Sequence, residues 1–393
     1  MLCQAWRSCD LVRAVTVLLT GGTGFLGSRI AHALIATRSE PVVVLGRGDP
    51  SRLRNRMVEA LQALGGGVFD GRHAGHLRCV SGDVTEPWLG LAPALYARLA
   101  DEVDAIWHCA SDIALTGERE RLHRVNVHGT AELLSLAAVT PPHCRLVHVS
   151  SMAVAGARPS GRVMESDLSD AHGFETHYDA SKYTAECLVR QWAERHGRPV
   201  VVLRPSIVAA DRTLPEGAAG HSLSVLGGML EAVSQGGAPG IPAQRPDARR
   251  LVLRLRVSAD ASFNIVGDRY ATEAMIRIGH DRRYKGAHVH TFHVVHPEPT
   301  PIPDLLAVIE RQYPGLRIEC ADDDVPNPTP AEQFVAGSLT GFLRYCRHQR
   351  VYDRSNAAAA TPGLPDPAPI DAAFLRRALG FARHDADHPS RTH

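Results

Sequence analysis

Thr20-Gly21-Gly22-Thr23-Gly24-Phe25-Leu26-Gly27 lies directly behind the apolar run Ala14 to Leu19 and ahead of a helical pattern over residues 26–37. A strand that ends in glycines lets the backbone approach phosphate oxygens with no Cβ in the way. The free N–H groups and positive dipole end of the next helix then face the anion. The stretch predicts a pyrophosphate site at the first turn of a βα unit. Glycine-rich strand-to-helix turns also occur as plain structure, so the rest of the chain must carry the reading.

Working outward, the β-branched runs 14–19, 41–45, 77–80, 103–107, 146–149 and 200–203 alternate with helical patterns near 26–37, 51–64, 92–101, 120–138 and 179–196. Such alternation implies a parallel sheet covered by helices on both faces, with right-handed crossovers that bring all strand C-termini to one edge, where a ligand lies. The predicted fold class is α/β, a Rossmann-type doubly wound parallel sheet over residues 14–210. After Asp211 the texture changes. Residues 211–250 are rich in Gly, Pro and Ala around one short helical pattern, Leu226 to Val233, and 321–332 and 357–370 read as loops. Residues 211–393 are therefore expected to form a smaller C-terminal substrate lobe, with the strand 289–295 returning to the main sheet and a helix over 302–311. The first dozen residues and those from about Arg383 read as tails.

Composition narrows the class. The 393 residues are 44% hydrophobic, enough for a large core, and 43 basic against 42 acidic residues leave a net charge of +1, so nothing marks a nucleic-acid surface. Eight cysteines form no C-x-x-C pair and no zinc spacing, which fits a reducing cytosol and predicts a cytoplasmic protein without a disulfide framework. No apolar run reaches the roughly 18 residues of a membrane span. The segment Val12 to Leu19 runs into the glycine turn without a small-residue cleavage pattern, and it reads as a strand, not a signal peptide.

The second chemical feature is Tyr178-Asp179-Ala180-Ser181-Lys182. Residues four apart share a helix face, so the Lys182 ammonium is expected beside the Tyr178 phenol, favouring its ionised form. Y-x-x-x-K is also common by chance. Its position after the fifth strand, where Ser150 and Ser151 end the run with two hydroxyls, supplies a second hydrogen bond to the same substrate oxygen.

Together these motifs resemble the extended short-chain dehydrogenases/reductases, whose glycine spacing, G-x-x-G-x-x-G, is the one found here. By that resemblance the catalytic set is Ser151, Tyr178 and Lys182, Ser151 being chosen over Ser150 because S-x-x-V-x-G runs Ser151, Val154, Gly156. Asn126, in Val125-Asn126-Val127-His128-Gly129-Thr130, matches the helix asparagine that holds the active-site architecture; it could equally bond locally within its own helix. Within this group the chain resembles the thioester-reductase and fatty-acyl-CoA-reductase branch. Gly82-Asp83-Val84-Thr85-Glu86-Pro87-Trp88-Leu89-Gly90-Leu91 reproduces its G-D-x-x-x-P-x-L-G-L signature, and Ile106-Trp107-His108-Cys109-Ala110 its fourth strand end. The similarity is good over 14–208 and weaker beyond, where Asn264-Ile265-Val266-Gly267-Asp268-Arg269-Tyr270 departs from the branch's V-P-V-D-Y.

The glycine turn, Gly21, Thr23, Gly24, Phe25, Leu26 and Gly27, would hold the cofactor's pyrophosphate. At the end of the second strand an acid would favour NAD and an arginine NADP. Arg47, with Arg54 on the following helix, points to NADPH over NADH, and Asp49 reads as the lead into that helix. By resemblance Asp83 and Val84 border the adenine, Ala110 the nicotinamide side, and Tyr178 and Lys182 also meet the cofactor. The resemblance implies an NADPH-dependent reductase of an acyl thioester, delivered by an acyl carrier protein or coenzyme A and taken to an aldehyde or alcohol. An epimerase, dehydratase or hydroxyl dehydrogenase of the same superfamily, and a non-catalytic NADPH-binding regulator, are the alternatives. Neither the acyl chain nor the oligomeric state is written in these motifs. His288, His290, His293 and His296 lack ligand partners at metal spacing and are read as strand residues, so no metal is expected. The basic stretch Arg249 to Arg256 is either a half-exposed strand or a docking face for an acidic carrier.

Overall fold

The computed structural model describes residues 15–65, 71–214, 218–232, 234, 251–284 and 288–381. The predicted tails, Arg249 and Arg250, and most of the Gly/Pro-rich loop before residue 250 lie outside the described residues.

Seven parallel strands build the central sheet: β1 (Val17–Thr20), β2 (Val42–Gly46), β3 (Leu77–Ser81), β4 (Ala105–His108), β5 (Arg145–Val149), β6 (Val200–Pro205) and β7 (Val289–Val294). Their order across the sheet is β7-β6-β5-β4-β1-β2-β3. The order reverses between β1 and β4, and at such a switch point the crossovers diverge and leave a crevice beyond the strand ends. Register runs Leu19 to Val44 on one side and Leu19 to Trp107 on the other, so Thr20, Leu45 and His108 end level with one another.

Near-continuous apolar strands form because both sheet faces are covered. Odd and even positions sort cleanly. Val17, Leu19, Val44, Trp107, Val147 and Phe292 pack into one core, and Leu18, Val43, Leu45, Ile106, Leu146 and Val202 into the other. A third cluster lies away from the sheet, where Leu223, Leu253, Phe263, Ile318, Phe374 and Phe381 join helices Ser222–Ala232, Ile302–Gln312 and Ala372–Ala378 to the parallel pair Leu251–Arg256 and Leu316–Ala321.

Two local expectations are corrected. The Ala/Pro-rich stretch 357–370, read as loop, opens inside a helix, Ser355–Ala360. That helix starts because the Glu165 carboxylate accepts the N–H groups of Asn356 (2.6 Å) and Ala357 (3.1 Å), a cap supplied from 190 residues away in sequence. The helix expected over 120–138 carries a π turn, His123–His128, in its first half. Such a turn inserts a residue and re-aims the side chains in it; Asn126 is one of them. No helix among the described residues is long and apolar enough to cross a membrane.

Candidate active site

The glycine turn is built by close approach. Gly21 sits at φ +72°, and a Cβ there would lie 2.6 Å from the Ala110 nitrogen at the end of β4. A Cβ on Gly27 would come 2.1 Å from the Gly21 carbonyl oxygen, so helix Phe25–His32 can start against the strand end only with glycine at that point. The turn itself is closed by the Gly24 N–H donating to the Gly21 carbonyl (3.0 Å). The result is a backbone cradle open towards the switch point, the shape and donor set that a dinucleotide pyrophosphate requires.

A cleft of about 460 Å³ runs from this cradle across the strand ends and is lined by Gly21, Thr23, Gly24, Arg47, Asp83, Val84 and Ala110. Phe25, Leu26 and Gly27 line an adjoining cavity of about 440 Å³, which Ser151, Tyr178 and Lys182 share. Arg54 is the exception among the nominated cofactor residues. Its guanidinium donates to the carbonyls of Leu77 and Ala74, both at 3.1 Å, and stands outside the cleft lining. One turn along its helix from Arg47's end of the sheet, the side chain reaches β3 instead of the ligand space. Asp49 caps its helix as read, its carboxylate accepting the N–H groups of Ser51 (2.9 Å) and Arg52 (3.1 Å). Two cations not nominated from the sequence, Arg121 and Arg124, also line the cleft. Arg121 is paired with Asp112 at 2.7 Å. Their R-x-x-R spacing just ahead of Asn126 was the available signal.

At the other end of the site, Ser151 and Ser150 divide their work. The Ser150 hydroxyl donates to the buried carboxylate of Glu186 at 2.7 Å. Ser151 accepts the Ala153 N–H at 3.1 Å and hydrogen-bonds the Tyr178 phenol, so it is Ser151 that meets the tyrosine. Tyr178 is carried in the first turn of helix His177–His196, which Thr176 caps by accepting the Asp179 N–H. Burial pushes the phenol up to about 12; the Ser151 bond opposes this and the Asp179 carboxylate adds to it. The Lys182 ammonium donates to the Val149 carbonyl at the end of β5 (2.9 Å). Burial lowers Lys182 to about 8, against the opposing charges of Glu186 and Cys109.

Asn126 is buried and fully used. Its Oδ1 accepts from the Asp112 N–H (2.7 Å) and Ser111 hydroxyl (3.0 Å), while Nδ2 donates to the Asp112 carbonyl (2.9 Å) and the Ser181 hydroxyl (2.8 Å). Ser181 in turn donates to the Tyr178 carbonyl at 2.7 Å. These bonds reach beyond the local helix and tie the wall after β4 to the turn that carries Tyr178. His108 completes the frame. The single proton of the Thr130 hydroxyl goes to the Asn126 carbonyl (2.6 Å), so His108 Nε2 must donate to Thr130 (3.0 Å) and Nδ1 must accept from Thr20 (2.8 Å). Burial pushes this imidazole down to about 3, which keeps it neutral in that tautomer.

The cavity wall facing Tyr178 and Ser151 comes from elsewhere in the chain. Ile113, Leu115, Phe263 and Phe342 make it apolar, and Tyr345 and Arg350 add polar groups, none of which carried a sequence signal. Asn264, where the chain departs from V-P-V-D-Y, binds the backbone of His296 through both amide atoms, at 2.8 and 2.9 Å, and also lines this wall. Asp268 pairs with Arg29 on helix Phe25–His32. The basic stretch is a structural strand, Leu251–Arg256. Arg254 forks onto Glu332 at 2.7 and 2.8 Å, and Arg256 meets Asp324 at 2.7 Å, so the arginines proposed for carrier docking are paired within the chain. His293 Nδ1 is engaged by the Asp353 carbonyl at 2.6 Å, and among the described residues no three His, Cys, Asp or Glu side chains come together as a metal site.

A model for NAD-binding proteins, described as male sterility protein, matches residues 19–253. This chain belongs to that family. Its resemblance to the thioester-reductase branch of the extended short-chain dehydrogenases/reductases is borne out, and its cofactor class is a nicotinamide dinucleotide. A carboxylic acid reductase from Segniliparus rugosus is 32% identical over 212 residues, which is 50% of this chain and 18% of that protein. An isonitrile lipopeptide synthase from Streptomyces coeruleorubidus is 35% identical over 194 residues, 48% of this chain and 13% of that protein. The chain therefore spans less than a fifth of the length of either relative. The terminal R domain of the myxalamid PKS-NRPS pathway superposes with a TM-score of 0.74 at 24% identity, covering 95% of this chain and 92% of that one, a likeness of fold.

Proposed function

We propose that this family member is an NADPH-dependent reductase that takes an acyl thioester to an aldehyde or alcohol. The observation that carries the reading is the Tyr178–Ser151 hydroxyl pair at the floor of a largely apolar cavity that adjoins the glycine-turn cleft. The bound dinucleotide supplies the hydride. Tyr178 and Ser151 offer two hydroxyl donors to the oxyanion that grows on the thioester carbonyl, and Tyr178 gives it the proton. The hemithioacetal then expels a thiolate, which takes its proton from water, while the Tyr178 phenolate takes back the hydroxyl proton as the C–S bond breaks. Lys182, buried beneath the pair, supplies positive charge to that phenolate and a donor for the nicotinamide ribose.

The domain division follows from the same reading: residues 14–210 hold the cofactor, and 211–393 shape the acyl pocket through Phe263, Phe342 and Tyr345. In this reading the thioester arrives on a carrier protein or on coenzyme A, in the cytoplasm, and the carboxylic acid reductase relative supports reduction at the oxidation level of a carboxylic acid. The purified protein with NADPH and a panel of acyl thioesters and ketones should oxidise the cofactor and release free thiol in step with it. Ketone reduction with no thioester turnover would make it a hydroxyl dehydrogenase instead.

For the cofactor, Arg47 is exposed at the cleft rim and is the residue placed to meet a 2′-phosphate, with no help from Arg54. A charge-assisted bond of this kind contributes about 1.5–3 kcal/mol, or about 10- to 100-fold in affinity. NADPH should bind tighter than NADH by that factor, and Arg47→Asp should erase or reverse the difference. Fluorescence titration of both cofactors tests it, and equal affinities in the native protein would refute the assignment.

A further inference from the structure

The chain that follows the short helix Thr340–Leu343 reaches back onto the start of helix His177–His196 with three side chains. Arg344 donates to the Glu175 carbonyl (2.7 Å), Tyr345 Oη donates to Asp179 Oδ1 (2.5 Å), and His348 Nε2 meets Glu175 Oε1 (2.9 Å). Tyr345 Oη is also 3.1 Å from the Thr176 hydroxyl, the cap of that helix. Tyr178 thus sits between the two residues that Tyr345 touches. Phe342, Tyr345 and His348 line the same cavity as Tyr178 and Ser151, so one short segment both faces the substrate space and grips the turn that presents the phenol.

Asp179 explains why that grip matters. It is fully buried, and a carboxylate buried in a helix's first turn depends on its donors to stay in place. Thr176 accepts the Asp179 N–H from within the turn, and Tyr345, from the other end of the chain, donates to the carboxylate itself. We propose that Tyr345 is a positioning residue for Tyr178, fixing through its hydrogen bond to Asp179 the helical turn that presents the phenol to the cavity. The inference rests on the reading of Tyr178 as the proton donor.

The arrangement has a pH signature. The groups facing Asp179 are Thr176 and Tyr178 of its own helix, Tyr345, and Arg350 and Tyr352 of the strand Gln349–Tyr352. Burial pushes Asp179 up to about 6, opposed by the bonds from Tyr345 and Thr176 and by the Arg350 charge. Above that pH the ionised carboxylate holds the Tyr345 hydroxyl firmly, and below it the bond loses its charge assistance. Turnover should therefore fall on an acid limb near 6. Removing the tyrosine hydroxyl removes the bond that protonation of Asp179 weakens, so the limb should be lost in Tyr345→Phe.

The test is the pH profile of kcat and KM for the native enzyme, Tyr345→Phe and Asp179→Asn with a short acyl thioester, together with NADPH affinity by fluorescence. Tyr345→Phe should lower kcat about tenfold, the worth of one hydrogen bond to a charged group. It should abolish the acid limb and leave NADPH affinity and thioester KM near native. Asp179→Asn can still accept from Tyr345 but cannot ionise, so its profile should lack the limb. Native kcat with an unmoved limb in Tyr345→Phe would overturn the proposal, as would an equal loss of NADPH affinity. Should Tyr345→Phe fail to fold, a limb that persists in Asp179→Asn overturns it alone. Tyr178→Phe run alongside separates the two claims: if that variant turns over, the reading of Tyr178 falls, whatever Tyr345 does.

Discussion

Tyr178→Phe should lose thioester turnover by about a thousandfold or more, because it removes both a donor to the oxyanion, worth about 10²–10³, and the proton that completes the step, worth about 10²–10⁴. NADPH affinity should hold, since in the proposed roles the phenol acts on the transition state while the glycine cradle and Arg47 meet the dinucleotide. Ser151→Ala should cost less, about a hundredfold, as one donor remains. The native profile should also fall on the alkaline side near pH 8. Burial has brought Lys182 down to about 8, so the ammonium that supports the phenolate is lost as pH rises through that value. Single-turnover NADPH oxidation with a saturating thioester measures all three. A Tyr178→Phe enzyme that oxidises NADPH at the native rate would remove Tyr178 from the chemistry.

What was legible in the sequence was whatever a short stretch determines on its own. The strand runs read correctly because burial of both sheet faces leaves no polar alternation to confuse them. Gly21 and Gly27 read correctly because the close approach they permit is set by the turn itself. Tyr178, Ser151 and Lys182 could be assembled because Ser151 follows the end of β5 and Tyr178 and Lys182 share a helix face four residues apart. Side-chain reach could not be read in this way. Arg54 and Arg124 are both arginines near the cleft in sequence terms, yet one turns to the Leu77 carbonyl and the other lines the cleft. The partners of Arg254 and Asp179 lie 78 and 166 residues away, and no local pattern encodes them. Lys182 is a similar case: i, i+4 spacing places it on the face of Tyr178, but does not tell that the Val149 carbonyl also takes its ammonium.

The largest stability effect should come from Glu186, four residues beyond Lys182 on the same helix. Its carboxylate is fully buried and accepts from Arg204 at 2.6 and 3.0 Å, from Arg190 at 2.8 and 3.1 Å, and from Ser150 at 2.7 Å. Burial alone would raise its pKa, but the Arg204 charge and bonds, with Arg190 and Ser150, hold it down to about 2. Because the folded value lies below the unfolded one, its contribution is complete above about pH 4.5 and is lost as pH falls towards 2. Glu186→Gln keeps the shape and removes the charge, leaving Arg204 fully buried without its carboxylate partner. Breaking a buried pair in this way costs about 3–5 kcal/mol, visible as a lower midpoint in urea. The same variant should also move the alkaline limb of turnover to lower pH, because Glu186 is the charge that raises Lys182 against its burial. Joint replacement, Glu186→Leu with Arg204→Met, separates the two roles. Apolar substitution of both partners often recovers stability, but it cannot restore the negative charge beneath Lys182. If the double variant regains the native urea midpoint while its alkaline limb stays displaced, the cluster serves the lysine as well as the fold. A limb that returns with the midpoint would mean that Glu186 acts on turnover only by keeping the helix in place.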